Sequence, residues 1–494
     1  MLKKIVLSIL SVFFISGFVS AQEFGFGFAE SDDYESESGA YTGAEGISPP
    51  GRSGAPSVSI GGEVSASLIG YVNDFTKGVE ETKFGDIFQG KLNFSAGVSV
   101  ADAVIKLNLS PSLQSPVTIN EAYLRAYFGG FEIEAGLRKL TWGKADSFGP
   151  LDVINPLDYS QLTDISDLMN FKIAMPMIHL SYRIGSFSKI EGVFVPFFKP
   201  MLSAEKDSRW YPAQMRQMDK QLGQLNKSLS ELNGLFASLP AGVKVPELPD
   251  KIAVNVPDTS SLDYLGAGLR FTATIGPADI GAQYYYGRLT RPAVYMTVVS
   301  FPTVPSYIPL PSGMPSLIPT SVNYEYNPYH QIGVDWAQVV FGFNIRAEFA
   351  ANITYDFSGD DGKVYNPHLA WSFGFDRVLF WGISLSFQCN ETIRLLHDKI
   401  SKNQILDTEA GADITSTQII ASVSKKFLRD QLELRAAFFW EIEGGDVMII
   451  PSIIWTLDAL SAELSGGIFT GNKDGQFGQY WKNSFIKASL TFSF

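Results

Sequence analysis

A period of two constrains this chain more than any other feature. Ile486, Ala488, Leu490, Phe492 and Phe494 share one face of the final segment, while Lys487, Ser489, Thr491 and Ser493 share the other. Successive side chains of a strand point to opposite sides, so the segment has one apolar and one polar face. A single strand of this kind also suits a soluble antiparallel sheet. The pattern recurs, however. Ala122, Leu124, Ala126 and Phe128 alternate with Glu121, Tyr123, Arg125 and Tyr127, and Phe131, Ile133, Ala135 and Leu137 alternate with Glu132, Glu134, Gly136 and Arg138. Phe341 to Phe349 alternates with Asn344, Arg346 and Glu348, and Leu432 to Trp440 alternates with Glu433 and Arg435.

Composition agrees with alternation as the organising rule. Charged residues make up 18% of the 494, against about 25% in soluble domains. Membrane helices need apolar runs of about 20 residues, and none follows the amino-terminal segment. Collagen is excluded because the 45 Gly have no period of three, and wholesale disorder by the 37 Phe and 20 Tyr. A net charge of −13 leaves no basic stripe for nucleic acid. The single cysteine, Cys389, excludes an intrachain disulfide and a cysteine-based metal cluster.

The amino terminus carries an export signal by composition. Lys3 and Lys4 precede an apolar core from Ile5 to Val19, and Val19-Ser20-Ala21 forms a small-residue cleavage site. A membrane anchor is the alternative, but the core is short. Residues 1–21 are therefore expected to be a signal peptide. Residues 22–56, rich in Gly, Ser and acid, are expected to form a flexible tail or a plug in a lumen.

Strand-like segments fall near 57–73, 85–99, 103–112, 117–128, 131–139, 173–184, 187–197, 261–274 and 278–287. They continue near 323–336, 340–355, 367–375, 378–389, 415–427, 431–441, 444–456, 459–468 and 484–494. That makes about 18, with 14 as the lower bound. The links alternate short and long: Gly129-Gly130, Gly185-Ser186 and Gly276-Pro277 are short, while 140–172, 198–260, 288–322 and 390–413 are long. Short turns at one rim and long loops at the other predict an all-β fold: a transmembrane, antiparallel, up-and-down β-barrel spanning 57–494. Apolar faces then meet lipid and charged faces line the lumen. The final strand, ending at Phe494, resembles the signal read by the barrel assembly machinery of the outer membrane.

Three long loops carry the specific information. The first runs from Arg138 through Trp142-Gly143, Asp146 and Asn155-Pro156 to Asp158. Gly149-Pro150 and Asn155-Pro156 form turns, and Asp152, Asn155 and Asp158 can tie down backbone amides. The loop is then either held by local hydrogen bonds or folded into a constriction that contacts solute through Asp146, Arg138 and Arg125. This Arg-x-x-x-Trp-Gly and Asn-Pro-x-Asp stretch resembles a family of outer-membrane barrels, domain-of-unknown-function type 1302, and related porin-like channels. The resemblance covers some 20 to 30 residues and implies that a third or so external loop folds inward to shape the pore.

The second loop predicts a helix after Pro212, with Met215, Met218, Leu222, Leu225, Leu229 and Leu232 on one stripe. That stripe either packs on other loops or receives an apolar solute. The third, Phe301 to Pro319, holds six prolines, with Tyr307 and Met314 among its apolar residues. Such a loop must bury itself, meet lipid or meet an apolar ligand. In character these two loops resemble the outer loops of long-chain fatty-acid channels, without a residue-level motif.

Enzyme signals are weak. His179, His330, His368 and His397 are scattered, and no nucleophile elbow or phosphate loop is found. His179 is expected as a structural or lumen residue and Cys389 as an inert apolar side chain. No catalytic, metal or cofactor site is expected. The sequence thus predicts an outer-membrane channel for passive uptake of small solutes, hydrophobic or amphipathic ones among them. A general water-filled porin and a barrel-anchored surface adhesin are the alternatives. Expected lumen residues are Glu121, Arg125, Glu132, Glu134, Arg138, Asp146, Arg346, Glu348, Glu433 and Arg435, and the apolar loop candidates are Met215, Met218, Leu222, Leu225, Leu229, Phe301, Tyr307 and Met314. Expected partners are outer-membrane lipid, the assembly machinery and the solute, with the barrel a monomer or a homotrimer.

Overall fold

A computed structural model describes residues 56–72, 81–83, 88–110, 116–163, 171–237, 248–300, 317–402 and 407–494. The expected signal peptide, nearly all of the tail, and Phe301, Tyr307 and Met314 lie outside the described residues.

Among the described residues, eighteen long strands close into one antiparallel barrel. They are β1 (Ser57–Tyr71), β2 (Phe88–Val98), β3 (Ala101–Leu109), β4 (Val117–Phe128), β5 (Phe131–Arg138) and β6 (Met175–Ile184). Next come β7 (Ser188–Val195), β8 (Gly266–Ile275), β9 (Ala278–Arg288), β10 (Pro328–Val340), β11 (Phe343–Thr354) and β12 (His368–Val378). The last are β13 (Ile383–Arg394), β14 (Thr415–Phe427), β15 (Leu432–Glu441), β16 (Asp446–Leu457), β17 (Leu460–Gly471) and β18 (Phe485–Ser493). Each expected segment overlaps one of these strands. The barrel closes where β1 pairs with β18 on one side, Val64 opposite Phe492, and with β2 on the other, Val64 opposite Gly90. Closure matters because an open sheet edge leaves unpaired N–H and C=O groups that lipid cannot satisfy.

The links segregate by rim. Eight of them, from Ser99-Val100 to Asp458-Ala459, are two to four residues long, and both barrel ends lie at this rim. The other rim carries links of four to seventy residues. Tight hairpins need left-handed backbone at their centre, which Gly129 supplies at φ +63° and Gly342 at φ +78°.

Alternation decides which face each side chain takes. Leu124, Leu464, Leu490 and Phe492 point outward and are about half exposed or more. Their neighbours Arg125, Ser465, Ser489 and Thr491 take the inner face. The outer wall is therefore an apolar band, and the inner wall is polar over much of the barrel, with apolar sectors at β6 to β9 and at β14 to β17.

The long-loop rim has a small domain of its own. Strands Ala293–Ser300 and Leu317–Glu325 form a hairpin, and Ala253–Asn255 adds to it in parallel. The helix α1 (Ala213–Ala237) lies against this sheet through Leu225, Leu229 and Leu232, which meet Ile252, Ile318 and Val322. From sequence, 288–322 is expected as a loop. β-Branched residues such as Val294, Val298, Val299 and Val322 favour strand there, and the stripe of α1 supplies the cover that makes the hairpin stable.

Candidate functional site: the lumen and the loop that crosses it

The third long-rim link joins β5 to β6, and its described residues 139–163 and 171–174 do not stay at the rim. It leaves β5 and reaches the inner faces of β9, β10, β11 and β13. β13 stands eight strands from β5 in one direction round the barrel and ten in the other, so the loop spans the lumen.

The residues that hold it come from the polar phase of those strands. Glu348 of β11 is the centre. Its carboxylate accepts backbone N–H bonds from Lys144, from Ala145 at 2.7 Å and from Leu151 at 3.3 Å. The loop can wrap a carboxylate this closely because Gly143, at φ +102°, and Gly149 leave room for it; a Cβ at either would run into the Glu348 side chain. Around this clasp, Gln388 accepts from the Ser147 amide at 3.0 Å, and Asn390 donates to the Phe148 carbonyl at 3.3 Å. Gln331 donates to the Pro150 carbonyl at 2.9 Å and Gln283 to that of Leu151 at 2.8 Å. Asp146 pairs with Arg346, which also holds Asp376. Burial pushes the Asp146 carboxyl up, and the Arg346 guanidinium opposes it.

The base of the loop is tied locally. Asn155 accepts from the Leu140 amide at 2.8 Å and donates to the carbonyls of Arg138 at 3.0 Å and Ile173 at 2.8 Å. Asp158 accepts from the Ser160 amide at 2.9 Å. Asp152 is paired with Lys172 at 2.7 Å, and burial raises its carboxyl while Lys172 draws it back down. Local ties and an inward fold therefore coexist.

On the near wall, charges of both signs form a connected ladder. Glu134 of β5, 1% exposed, meets Arg125 at 3.0 Å, Arg138, and His179 Nδ1 at 2.8 Å. Arg125 also lies 3.7 Å from Asp102 and 3.8 Å from Glu132. Glu121 pairs with Lys106 at 2.6 Å and accepts from the Lys139 amide at 2.9 Å. The ladder continues through Glu191, 3.3 Å from His179 and 2.9 Å from Lys189.

The ten expected lumen residues thus fall into three groups. Glu121, Arg125, Glu132, Glu134 and Arg138 stand together on β4 and β5. Asp146, Arg346 and Glu348 meet where the loop joins the far wall, apart from Arg125 and Arg138. Glu433 and Arg435 pair with each other on β15 at 2.8 Å. Sequence reasoning missed Gln283, Gln331, Gln388 and Asn390 as loop anchors. Their only signal was their place on the polar phase of a strand.

Apolar side chains fill another part of the interior. Phe148, Tyr159, Leu162 and Phe171 from the crossing loop join Trp210, Phe477 and Tyr480. They pack on Ile420, Phe439, Met448 and Phe469 of β14 to β17.

Of the apolar loop candidates, Leu225 and Leu229 are covered by the hairpin and Leu222 packs at its edge. Met215 and Met218 are half-buried, and the Tyr324 hydroxyl donates to the Met218 sulfur at 3.7 Å.

The fold and lumen define a closed eighteen-stranded antiparallel barrel with an inward loop. No family model matches the chain, and no curated protein matches it. Solved structures similar to it include outer-membrane proteins. The carbohydrate-binding barrel Wzi of Escherichia coli aligns at 10% identity over 88% of this chain and 84% of its own, with a TM-score of 0.43. The outer-membrane channel DcaP of Acinetobacter baumannii aligns at 9% identity over 89% and 97%, with a TM-score of 0.40. OccD3 of Pseudomonas aeruginosa aligns at 8% identity over 88% and 91%, with a TM-score of 0.45.

Proposed function

We propose that the protein is an integral outer-membrane channel that passes small solutes by diffusion, narrowed by the loop 139–174. The observation that carries this reading is the crossing of the lumen by that loop, pinned to four strands of the far wall. Barrels of 16 to 18 strands are wide enough to leave an aqueous path, and an inward loop sets its cross-section. The charged ladder and the Arg346 junction then shape the field a solute meets. The apolar outer band supplies the lipid contact, and the export signal and the strand ending at Phe494 fit delivery to the outer membrane and assembly there.

A second reading keeps hydrophobic or amphipathic solutes as the cargo. The half-buried Met215 and Met218 beside the long-rim mouth favour it, although the hairpin covers the leucine part of that stripe.

Planar-bilayer recording of the purified protein tests both. Steady conductance steps support a water-filled path. Absent steps, with uptake of a labelled fatty acid into liposomes, support the hydrophobic route. Neither signal, with loop-dependent surface binding, returns the adhesin alternative.

A further inference from the structure

The hairpin turns of the short rim are not alike. Gly129, Gly185 and Gly276 take the left-handed position of their turns, at φ +63°, +63° and +60°, where the absence of a Cβ removes the steric cost. Further round the barrel, bulky apolar residues stand in that conformation instead. Phe341 between β10 and β11 has φ +52°, Trp381 between β12 and β13 has φ +65°, and Leu428 between β14 and β15 has φ +54°. A side chain makes this backbone costly, and burial does not offset the cost. Phe341, Phe380 and Trp381 are 91%, 86% and 84% exposed. Large apolar groups held clear of the protein on strained backbone, on neighbouring hairpins, mark a surface that something apolar covers.

Two cations stand on the outer wall beside these turns. Arg377 shares the outward phase of β12 with Phe373 and Phe375, and Lys425 shares that of β14 with Val423 and Phe427. β13 runs between them, with Leu385 opposite Arg377 and Ile383 opposite Lys425. The Arg377 guanidinium lies 4.5 Å from the Phe343 ring centre, and the Lys425 ammonium lies 4.9 Å from that of Phe427. Neither cation has an acidic partner among the ion pairs of the described residues. Asp376, next to Arg377 in the chain, faces the lumen and holds Arg346. Long cationic side chains lay their stems on apolar surface and carry the charge toward the membrane border. The sector therefore presents exposed rings and two uncompensated positive charges side by side. What covers it must be apolar inside and negatively charged at its surface.

We propose that the short-rim sector from β10 to β15 docks on acidic phospholipid of the periplasmic leaflet. Arg377 and Lys425 bind the lipid phosphates, and Phe341, Phe380 and Trp381 enter between the headgroups. Short turns face the periplasm in outer-membrane barrels, and the apolar outer wall of β10 to β14 runs without a break into these tips, so the lipid contact continues past the strand ends here. At Gly129, Gly185 and Gly276 the turns offer no such group. The site rests on the outer-membrane placement in the proposed function and not on conduction.

Spin-labelled lipids in bilayers that hold the purified protein test the two cations. Phosphatidylglycerol should associate with the barrel about fivefold more strongly than phosphatidylcholine of the same chains, the factor that one cation near an anionic surface is worth. The double variant Arg377→Gln, Lys425→Gln should bind the two lipids about equally, and heat-modifiable gel migration checks that it is a folded barrel. Brominated phosphatidylglycerol tests the rings. The fluorescence difference between the wild type and Trp381→Phe reports Trp381 alone, and it should be quenched in nanodiscs that hold one barrel each. Equal association of the two lipids with the wild type, an undiminished preference in the double variant, or an unquenched Trp381 overturns the proposal. The last result is what a soluble periplasmic protein or a second copy as the occupant predicts. Conductance steps without the lipid preference refute the site and leave the channel. A preference carried by Arg377 and Lys425, without steps, refutes the channel and leaves the site.

Discussion

Glu348 holds the crossing loop through three backbone amides, with both carboxyl oxygens accepting. Glu348→Ala should release the loop from the far wall, with each orphaned amide costing about 1–3 kcal/mol. Single-channel recordings should then show larger and noisier steps than the wild type. Gly143→Ala attacks the same clasp from the other side. The φ of +102° and the carboxylate beside it leave no place for a methyl group. A loss of about 1–3 kcal/mol is expected, read as earlier loss of the folded gel band on heating. The sequence shows Glu348 as an inward charge because it sits on the polar phase of β11. It does not show the partner, since the Ala145 amide is 203 residues away and periodicity carries no information across that distance. The same holds for Gln283, Gln331, Gln388 and Asn390, whose targets are loop carbonyls and an amide.

At the scale of elements, the helix was legible because its leucines recur every three or four residues. What covers it was not. The hairpin Ala293–Ser300 and Leu317–Glu325 flanks and enters the proline-rich stretch that reads from sequence as a long loop. Yet Pro319 is accommodated, with a register shift between Thr297 and Val298 on the facing strand. Removing packing from this small domain should leave the barrel alone, because the two share few apolar contacts. Leu229→Ala is expected to cost the loop domain about 2–5 kcal/mol. Limited proteolysis should then cut within 196–265 faster than in the wild type, while the barrel band on the gel persists. Simultaneous loss of both would show that helix and barrel fold as one unit.

At the scale of the whole molecule, alternation made all eighteen strands and the segregated rims readable, since a barrel in lipid repeats one rule on every strand. The same rule gives a paired prediction. Leu464 points outward, 50% exposed, and its neighbour Ser465 faces the lumen. Leu464→Arg should destabilise folding into bilayers by about 2–4 kcal/mol if it sits near the midplane. Ser465→Arg should escape that penalty and alter conductance instead. Equal destabilisation by both would contradict a lipid-facing outer wall.

The most direct test of the central claim is the single-channel conductance of the purified barrel, wild type against Glu348→Ala, in the same planar bilayer. A lumen narrowed by a loop clasped at Glu348 predicts steady steps in the wild type and larger ones in the variant. Identical steps in both proteins, or no steps in either, would contradict it.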